Sequence, residues 1–391
     1  MRYLNKEEFQ KRIFRIQEEM EERKFDAIMV YGDEYRKENL RYVSNFWPIF
    51  ERAAAFIGKN GEPIVAGAPE GEKYAQEMSI WDDYRNIKEF LCVTVPEEIE
   101  YPLATFSSLK EILREKMGSG RKLGIVGIRD IPQIIYERII KAYPWIEIVS
   151  ADDILEKMRL IKSEKEIFCL KEAGRLACIA YEELMKNAIP GKTELYATGK
   201  AEGAARSAGA EAIIFTVFGS GKRADTIIGR PTGKIIKDGD MIMASIAVQY
   251  EGYVATAEFP FVAGKASNEQ KFLIETLIEA ANIGFPYLKA GKPAKEFVRA
   301  VRDVFRKKNF SQYDIYPPLH GCGCAEAESP YPDEKTEMSF QAGMTVNTDI
   351  SLFGHPAGSN RIEEGFVITE NRAETLTPFI RRLCEKEEKR D

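Results

Sequence analysis

The stretch MIMASIAVQYEGYVATAEFPF, residues 241–261, reads as two apolar strands joined by a tight turn at Glu251-Gly252. With that two-residue loop, Ser245 lies opposite Glu258. Thr256, two residues before Glu258, shares its face, because side chains alternate along a strand. Two hydroxyls and a carboxylate then cluster on one face of a greasy hairpin. A buried carboxylate is costly unless it is paired or hydrogen-bonded. Glu258 therefore either faces solvent at a sheet edge or belongs to a polar pocket. The second position that could do chemistry is His320, in PPLHGCGC; the chain has only two histidines, His320 and His355. His320 follows Pro317-Pro318 and precedes Gly321-Cys322-Gly323, a loop-like setting where backbone can approach a ligand. An imidazole near its ordinary pKa suits proton transfer at neutral pH. His355, beside Pro356 in FGHPAG, reads as a loop residue, with substrate contact the weaker option.

These residues must be held by regular elements. Phe9, Ile13, Ile16 and Met20 recur at helical spacing and predict a helix over 6–23. DAIMVYG, RYVSNF, AAAFIG and EPIVAG read as strands, the last two joined by a turn at Lys59-Asn60-Gly61-Glu62. KLGIVG, IPQIIYERIIKAY and IEIVS continue as strand, helix and strand, so the first part of the chain is an α/β domain. A charged, strongly helical stretch around Ser163 marks the boundary, and Pro190-Gly191 ends its helix. Beyond it, IIFTVFGSG, TIIG, KIIKDGDMIMASIAVQY and GYVATAEFPFVAG read as strands. Helices follow over 268–283 and 293–308, then the strands GMTVNTDISLF and EEGFVITE. That pattern is α+β, with an antiparallel sheet and helices on one side.

The totals narrow the function classes. Net charge is −6 over 391 residues, and no Lys/Arg block stands apart from acidic neighbours. Nucleic acid and anionic membrane are therefore not expected partners. No apolar run is long enough to span a bilayer, and MRYLNKEEFQKRIFRIQ lacks the apolar core of a signal peptide, so the expectation is a cytoplasmic protein. Six scattered cysteines, Cys92, Cys169, Cys178, Cys322, Cys324 and Cys384, read as reduced thiols; Cys322 and Cys324 are too close for a CxxC site and read as small buried packing groups.

The order GDMIMASIAVQYEGYVATAEFPF, PPLHGCGCAEAESP, FQAGMTVNTDI, RIEEGFVITE resembles the creatinase/prolidase/methionine-aminopeptidase family, and RLIKSEKEI resembles the phrase that opens its catalytic domain. The resemblance implies an α/β creatinase/prolidase-like N-terminal domain over 1–158 and an α+β pita-bread catalytic domain over 159–391. The family's metallopeptidases hold two divalent ions with two Asp, one His and two Glu. Those positions fall on Ser245, Thr256, His320, Asp349 and Glu363, and two further family histidines fall on Ala327 and near Ile228. Two carboxylates would then face four positive charges, and hydroxyls are poor ligands beside carboxylates. The expectation is a site without a metal cofactor; one divalent ion on His320, Asp349 and Glu363 is the other option.

Creatinase, which the resemblance includes, hydrolyses a C–N bond without metal and carries a Glu where Glu258 stands. The expected function is thus hydrolysis of a C–N bond in a small amino-acid-like, guanidino or amide substrate. His320, Glu258, Asp349 and Glu363 would do acid–base work, and Arg361, Arg52, Ser245 and Thr256 would bind substrate. The apolar Ile228 argues against creatine itself. Two alternatives stand beside this: an atypical single-metal Xaa-Pro peptidase or lyase, and a catalytically inactive module that binds peptide or protein. The resemblance also implies a homodimer in which Arg52 serves the partner's site.

Overall fold

The computed structural model describes residues 3–91 and 104–387; Cys92 lies outside them. The chain packs as two units, Met1–Met158 and Arg159–Asp391.

In the first unit the helical spacing of Phe9, Ile13, Ile16 and Met20 buries one face of the helix Lys6–Arg23. Lys24, in the left-handed region at φ 59°, ends it. Six strands follow: β1 (Ala27–Asp33), β2 (Arg52–Gly58), β3 (Ile64–Gly67), β4 (Tyr84–Asn86), β5 (Lys122–Val126) and β6 (Glu147–Ser150). They form one mixed sheet in the order β4-β3-β2-β1-β5-β6. Alanine and large apolar residues alternate through its buried centre, as in Ala27, Met29, Tyr31, Ala54, Phe56 and Leu123. RYVSNF is not a strand. It belongs to the helix Glu38–Ser44, where Leu40, Val43 and Ser44 fall on a buried face at helical spacing and Asn45, at φ 60°, closes the C-terminus. Arg52 opens β2, half-buried and in register with Asp33.

The second unit begins with a capped helix. Ser163 accepts from the Glu166 backbone while the Glu166 side chain accepts from Ser163, and Glu164–Asn187 runs from that box. Gly174 is required there: a Cβ would come within 2.0 Å of the Leu376 carbonyl oxygen. Two four-stranded sheets build the rest. One comprises β7 (Ala212–Ser220), β8 (Asp240–Tyr250), β9 (Tyr253–Ala257) and β10 (Phe261–Ala263), with β8 pairing all three others. The other runs β11 (Leu319–Gly321), β12 (Thr345–Leu352), β13 (Asn360–Ile368), β14 (Ala373–Thr375) in that order. Among the described residues TIIG forms no strand, and β8 starts only at Asp240. Helices Asn268–Gly284 and Ala294–Lys307 pack with both sheets on one core, which includes Phe297, Val301, Ile350, Ile362 and Phe366. Cys169, Cys178, Cys322, Cys324 and Cys384 are buried. No helix among the described residues is long and apolar enough to cross a membrane.

Candidate active site

The hairpin of β8 and β9 has the expected register, Tyr250 against Tyr253 through Ile246 against Ala257. Glu251 and Gly252, at φ 47° and 87°, supply the two left-handed residues that a tight hairpin turn of this twist needs. The pairing with β8 then stops. Pro260 has no N–H for a ladder, so β9 and β10 are separate strands on the same partner. In the gap, Glu258 pairs across to the other sheet: Glu363 N donates to Glu258 O at 3.1 Å. One residue thus stitches the two sheets together, and its side chain is driven into their seam.

Alternation on β12 and β13 supplies the opposing groups. Asp349 is in register with Glu363 and Ser351 with Arg361, while His320 on β11 faces Asn347. These residues share one face; Val346, Ile350, Leu352, Ile362 and Phe366 fill the other with core. Arg361 sits among the carboxylates. Its Nε bonds Glu258 Oε2 and lies 3.0 Å from Glu363 Oε1, and its Nη1 is 3.8 Å from Asp349 Oδ1. Tyr316 bridges, accepting from Arg361 Nη1 at 3.1 Å and donating to Asp349 at 3.3 Å.

Glu258 is fully buried, so the pocket reading, rather than the solvent edge, is the one the fold adopts. One guanidinium cannot offset three buried carboxylates. Burial pushes Glu258 up to about 8 and Asp349 up to about 7, against the pull of Arg361 and with Glu363 adding to the rise. Arg361 stays charged, because those acids outweigh its own burial.

A cavity of about 740 Å³ opens onto this cluster. Its polar lining includes His320, Glu326, Asp349, Arg361 and Glu363, and its apolar lining includes Leu195, Phe215, Val217 and Ile228. Ser245, Thr256 and Glu258 lie buried behind that lining. Ser245 donates to Glu363 Oε2 at 2.9 Å, and Thr256 donates to Glu326 Oε1 at 3.1 Å. They hold the acids that face the cavity. His355 packs between Phe310 and Tyr313, with ring centroids 4.8 and 4.9 Å away, and does not line the cavity.

His320 has a defined orientation. Its Nδ1 lies 2.9 Å from the Gly321 carbonyl, which can only accept, so Nδ1 carries the proton and Nε2 is left basic. Nε2 is 3.8 Å from Glu326 Oε1. Burial raises the Glu326 pKa against the opposing effect of His320. Glu326 and Tyr316 escaped the sequence reading. Glu326 adjoins Ala327, the position matched to a lost family histidine; a carboxylate one residue away was the available signal. Tyr316, four residues before His320, carried none.

The donors as arranged here do not fit a metal pair. Ser245 and Thr256 act as hydrogen-bond donors, a guanidinium occupies the midst of the acids, and among the described residues no group of three or more His, Cys, Asp or Glu is placed to hold a metal ion.

Residues 169–370 match Metallopeptidase family M24, and residues 12–161 match the Creatinase/Prolidase N-terminal domain. An Xaa-Pro dipeptidase of Pyrococcus horikoshii is 26% identical over 95% of this chain and 98% of that protein. An uncharacterized peptidase of Bacillus subtilis, YqhT, is 30% identical over 59% of this chain and 66% of that protein. The crystal structure of the prolidase from Pyrococcus horikoshii OT3 superposes with a TM-score of 0.80 at 24% identity, covering 94% of this chain and 98% of that one, which shows the shared fold.

The match to a metallopeptidase family overturns the expectation of a site with no metal cofactor. That expectation counted two acids, Asp349 and Glu363. The structure adds Glu258 and Glu326 to those two, so the count of acids at the seam is four. The chain belongs to metallopeptidase family M24, as a hydrolase with a creatinase/prolidase N-terminal domain and a pita-bread catalytic domain.

Proposed function

We propose that the chain hydrolyses the amide C–N bond of a short peptide or similar amino-acid derivative, with Xaa-Pro dipeptides the first candidates. The observation that carries this reading is the His320–Glu326 pair at the wall of the cavity, 3.8 Å apart, beside Arg361. Hydrolysis adds water to the carbonyl carbon, breaks the C–N bond and delivers a proton to the leaving nitrogen. His320 Nε2, kept basic by the Nδ1 contact, accepts the proton of the attacking water. The neighbouring Glu326 carboxyl passes a proton on to the nitrogen. Arg361, fixed by Glu258 and Glu363, offers positive charge to the oxygen that becomes negative. The full-length likeness to an Xaa-Pro dipeptidase supports the choice of substrate.

The test is release of free amino acid from a panel of Xaa-Pro and other dipeptides, ureido acids and guanidino acids, each with and without added Mn²⁺ or Zn²⁺. Turnover of a dipeptide is expected, with kcat/KM falling by about 10²–10⁴ in His320→Ala. No turnover anywhere in the panel, or an unaffected His320→Ala, overturns the reading. A homodimer and a substrate role for Arg52 belong to the same proposal. A monomeric mass by light scattering, or unchanged kinetics in Arg52→Ala, removes them.

A further inference from the structure

The loop between β7 and β8 carries a strained turn that packing alone does not explain. After the short helical turn Gly221–Thr226, Ile227 takes φ 62° and ψ −61°, and Ile228 N donates to Thr226 O at 2.7 Å. That is a γ-turn of the rare positive-φ kind, centred on a β-branched residue, where left-handed backbone is a true outlier. Such strain persists only where the surroundings over-determine it, and it concentrates at ligand clamps.

The over-determining group is Glu194, fully buried at the base of the loop. Its Oε1 accepts from Ser220 N at 3.1 Å and Ser220 Oγ at 2.7 Å, where the loop begins. Its Oε2 accepts from Thr232 N at 2.9 Å and Thr232 Oγ1 at 2.8 Å, beyond the strained turn. Arg223 Nε reaches both oxygens, at 3.3 and 3.1 Å, and its Nη2 donates to Arg230 O at 2.6 Å. Gly229 allows the turn to close, since a Cβ there would meet Thr226 Oγ1 at 2.1 Å. One carboxylate therefore holds the loop at Ser220 and at Thr232, on either side of the strained residue.

What the strain displays is Ile228, 77% exposed, and Arg230, also exposed; both line the active-site cavity. A large apolar side chain held out in water beside a cavity is costly unless something covers it. Among the described residues the Arg230 guanidinium makes no ion pair, and its forked donors match a carboxylate.

We propose that the loop is a preset specificity element, in which Ile228 covers an apolar substrate side chain and Arg230 takes the substrate's free carboxylate. This rests on the amide-hydrolase reading for the reaction, but not for the binding. Glu194 and Ile227 are positioning residues in this scheme.

The test uses the intact chain and measures both dipeptide binding, by calorimetry, and turnover. The ligands are an apolar dipeptide, its C-terminal amide, and an acidic dipeptide. The wild type is expected to prefer the free acid over the amide and the apolar over the acidic ligand. Arg230→Gln is expected to erase the acid-over-amide preference, raising KM for the acid by about tenfold, well beyond any loss in kcat. Ile228→Ser is expected to weaken the apolar ligand by a few-fold with little change for the acidic one. Ile227→Gly relieves the backbone strain, so its melting temperature should equal or exceed that of the wild type while affinity falls; a merely structural turn would lose neither affinity nor selectivity. An acid-over-amide preference that survives Arg230→Gln, or unchanged affinity in Ile227→Gly, overturns the proposal. Selective binding without turnover sinks the hydrolase reading and leaves this one standing; turnover indifferent to all three variants does the reverse.

Discussion

Glu326 and Glu328 stand two residues apart on one loop, are both screened from water, and have opposite electrostatic fates. Glu328 bonds Arg159, and its Oε1 accepts from Lys162 Nζ at 2.8 Å. Burial works to raise it, but two cations outweigh burial and hold it below the usual carboxylate range. Gly323 makes room for this anchor, since a Cβ there would lie 2.3 Å from Glu328 Oε1. Glu326 has one hydroxyl donor, Thr256, and an imidazole at 3.8 Å. Among the described residues nothing of fixed charge pairs with it directly, so burial wins and its pKa rises. A carboxylate saturated with cations is a staple; one left short of them keeps its proton to higher pH and can pass it on. Local sequence, AEAES, does not distinguish the two. The difference comes from which elements face each residue.

The largest effects should separate the two roles. Glu326→Gln is expected to lower kcat/KM on the best substrate by at least about 10²-fold, the range for an acid–base group, with little change in melting temperature. Glu328→Gln takes the counter-charge from the buried Lys162 and should cost about 3–5 kcal/mol of stability in chemical denaturation, while folded molecules keep their kcat. If Glu328→Gln instead lost activity at full stability, the division between staple and proton carrier would fail.

The same contrast decides what could be read from the sequence. Alternation in MIMASIAVQYEGYVATAEFPF is local, so the hairpin register and the common face of Ser245, Thr256 and Glu258 were legible. Periodicity likewise placed the helix Lys6–Arg23, and the helices expected over 268–283 and 293–308 are Asn268–Gly284 and Ala294–Lys307. RYVSNF misled because a short apolar-rich run fits either period, and its tertiary partners chose the helix. TIIG misled because three β-branched residues in four suggest a strand, whereas Glu194 holds that segment as a strained turn. The acids of the site were half legible. Asp349 and Glu363 followed from the family resemblance. Glu326 enters from a separate loop, and the guanidinium at the centre of the cluster depends on a cross-sheet pairing of Glu258 with Glu363 that no local pattern encodes.

Titration should show the contrast as slopes of opposite sign. Glu328 has a depressed native pKa, so its contribution is present above the unfolded carboxylate range near pH 4.5 and is lost as pH falls through the native value. Glu326 has a raised native pKa, as do Asp349 at about 7 and Glu258 at about 8. The native state then binds their protons more tightly. Their contribution is complete below about pH 4.5 and is lost as pH rises toward about 8. Melting temperatures recorded from acid to mild alkali should therefore peak in the weakly acidic range. Glu258→Gln should flatten the alkaline descent, and Glu328→Gln should flatten the acid one. Identical profiles for both variants would mean that the cation count does not set these acids apart.

The smallest effect is the sharpest probe of Glu326. Thr256→Val keeps the shape of the side chain and removes the single hydroxyl that donates to Glu326 at 3.1 Å. The lost hydrogen bond is worth about 1 kcal/mol, so stability should change little. That hydroxyl favours the ionised carboxylate, and without it the Glu326 pKa must rise further, because burial is left opposed chiefly by His320. If Glu326 carries the proton to the leaving nitrogen, the limb of the kcat/KM–pH profile that reports its ionisation moves to higher pH in Thr256→Val. Ser245→Ala, which removes the donor to Glu363 instead, leaves that limb in place. A limb that ignores Thr256→Val would assign the titration to another group and reduce Glu326 to a neighbour that orients His320.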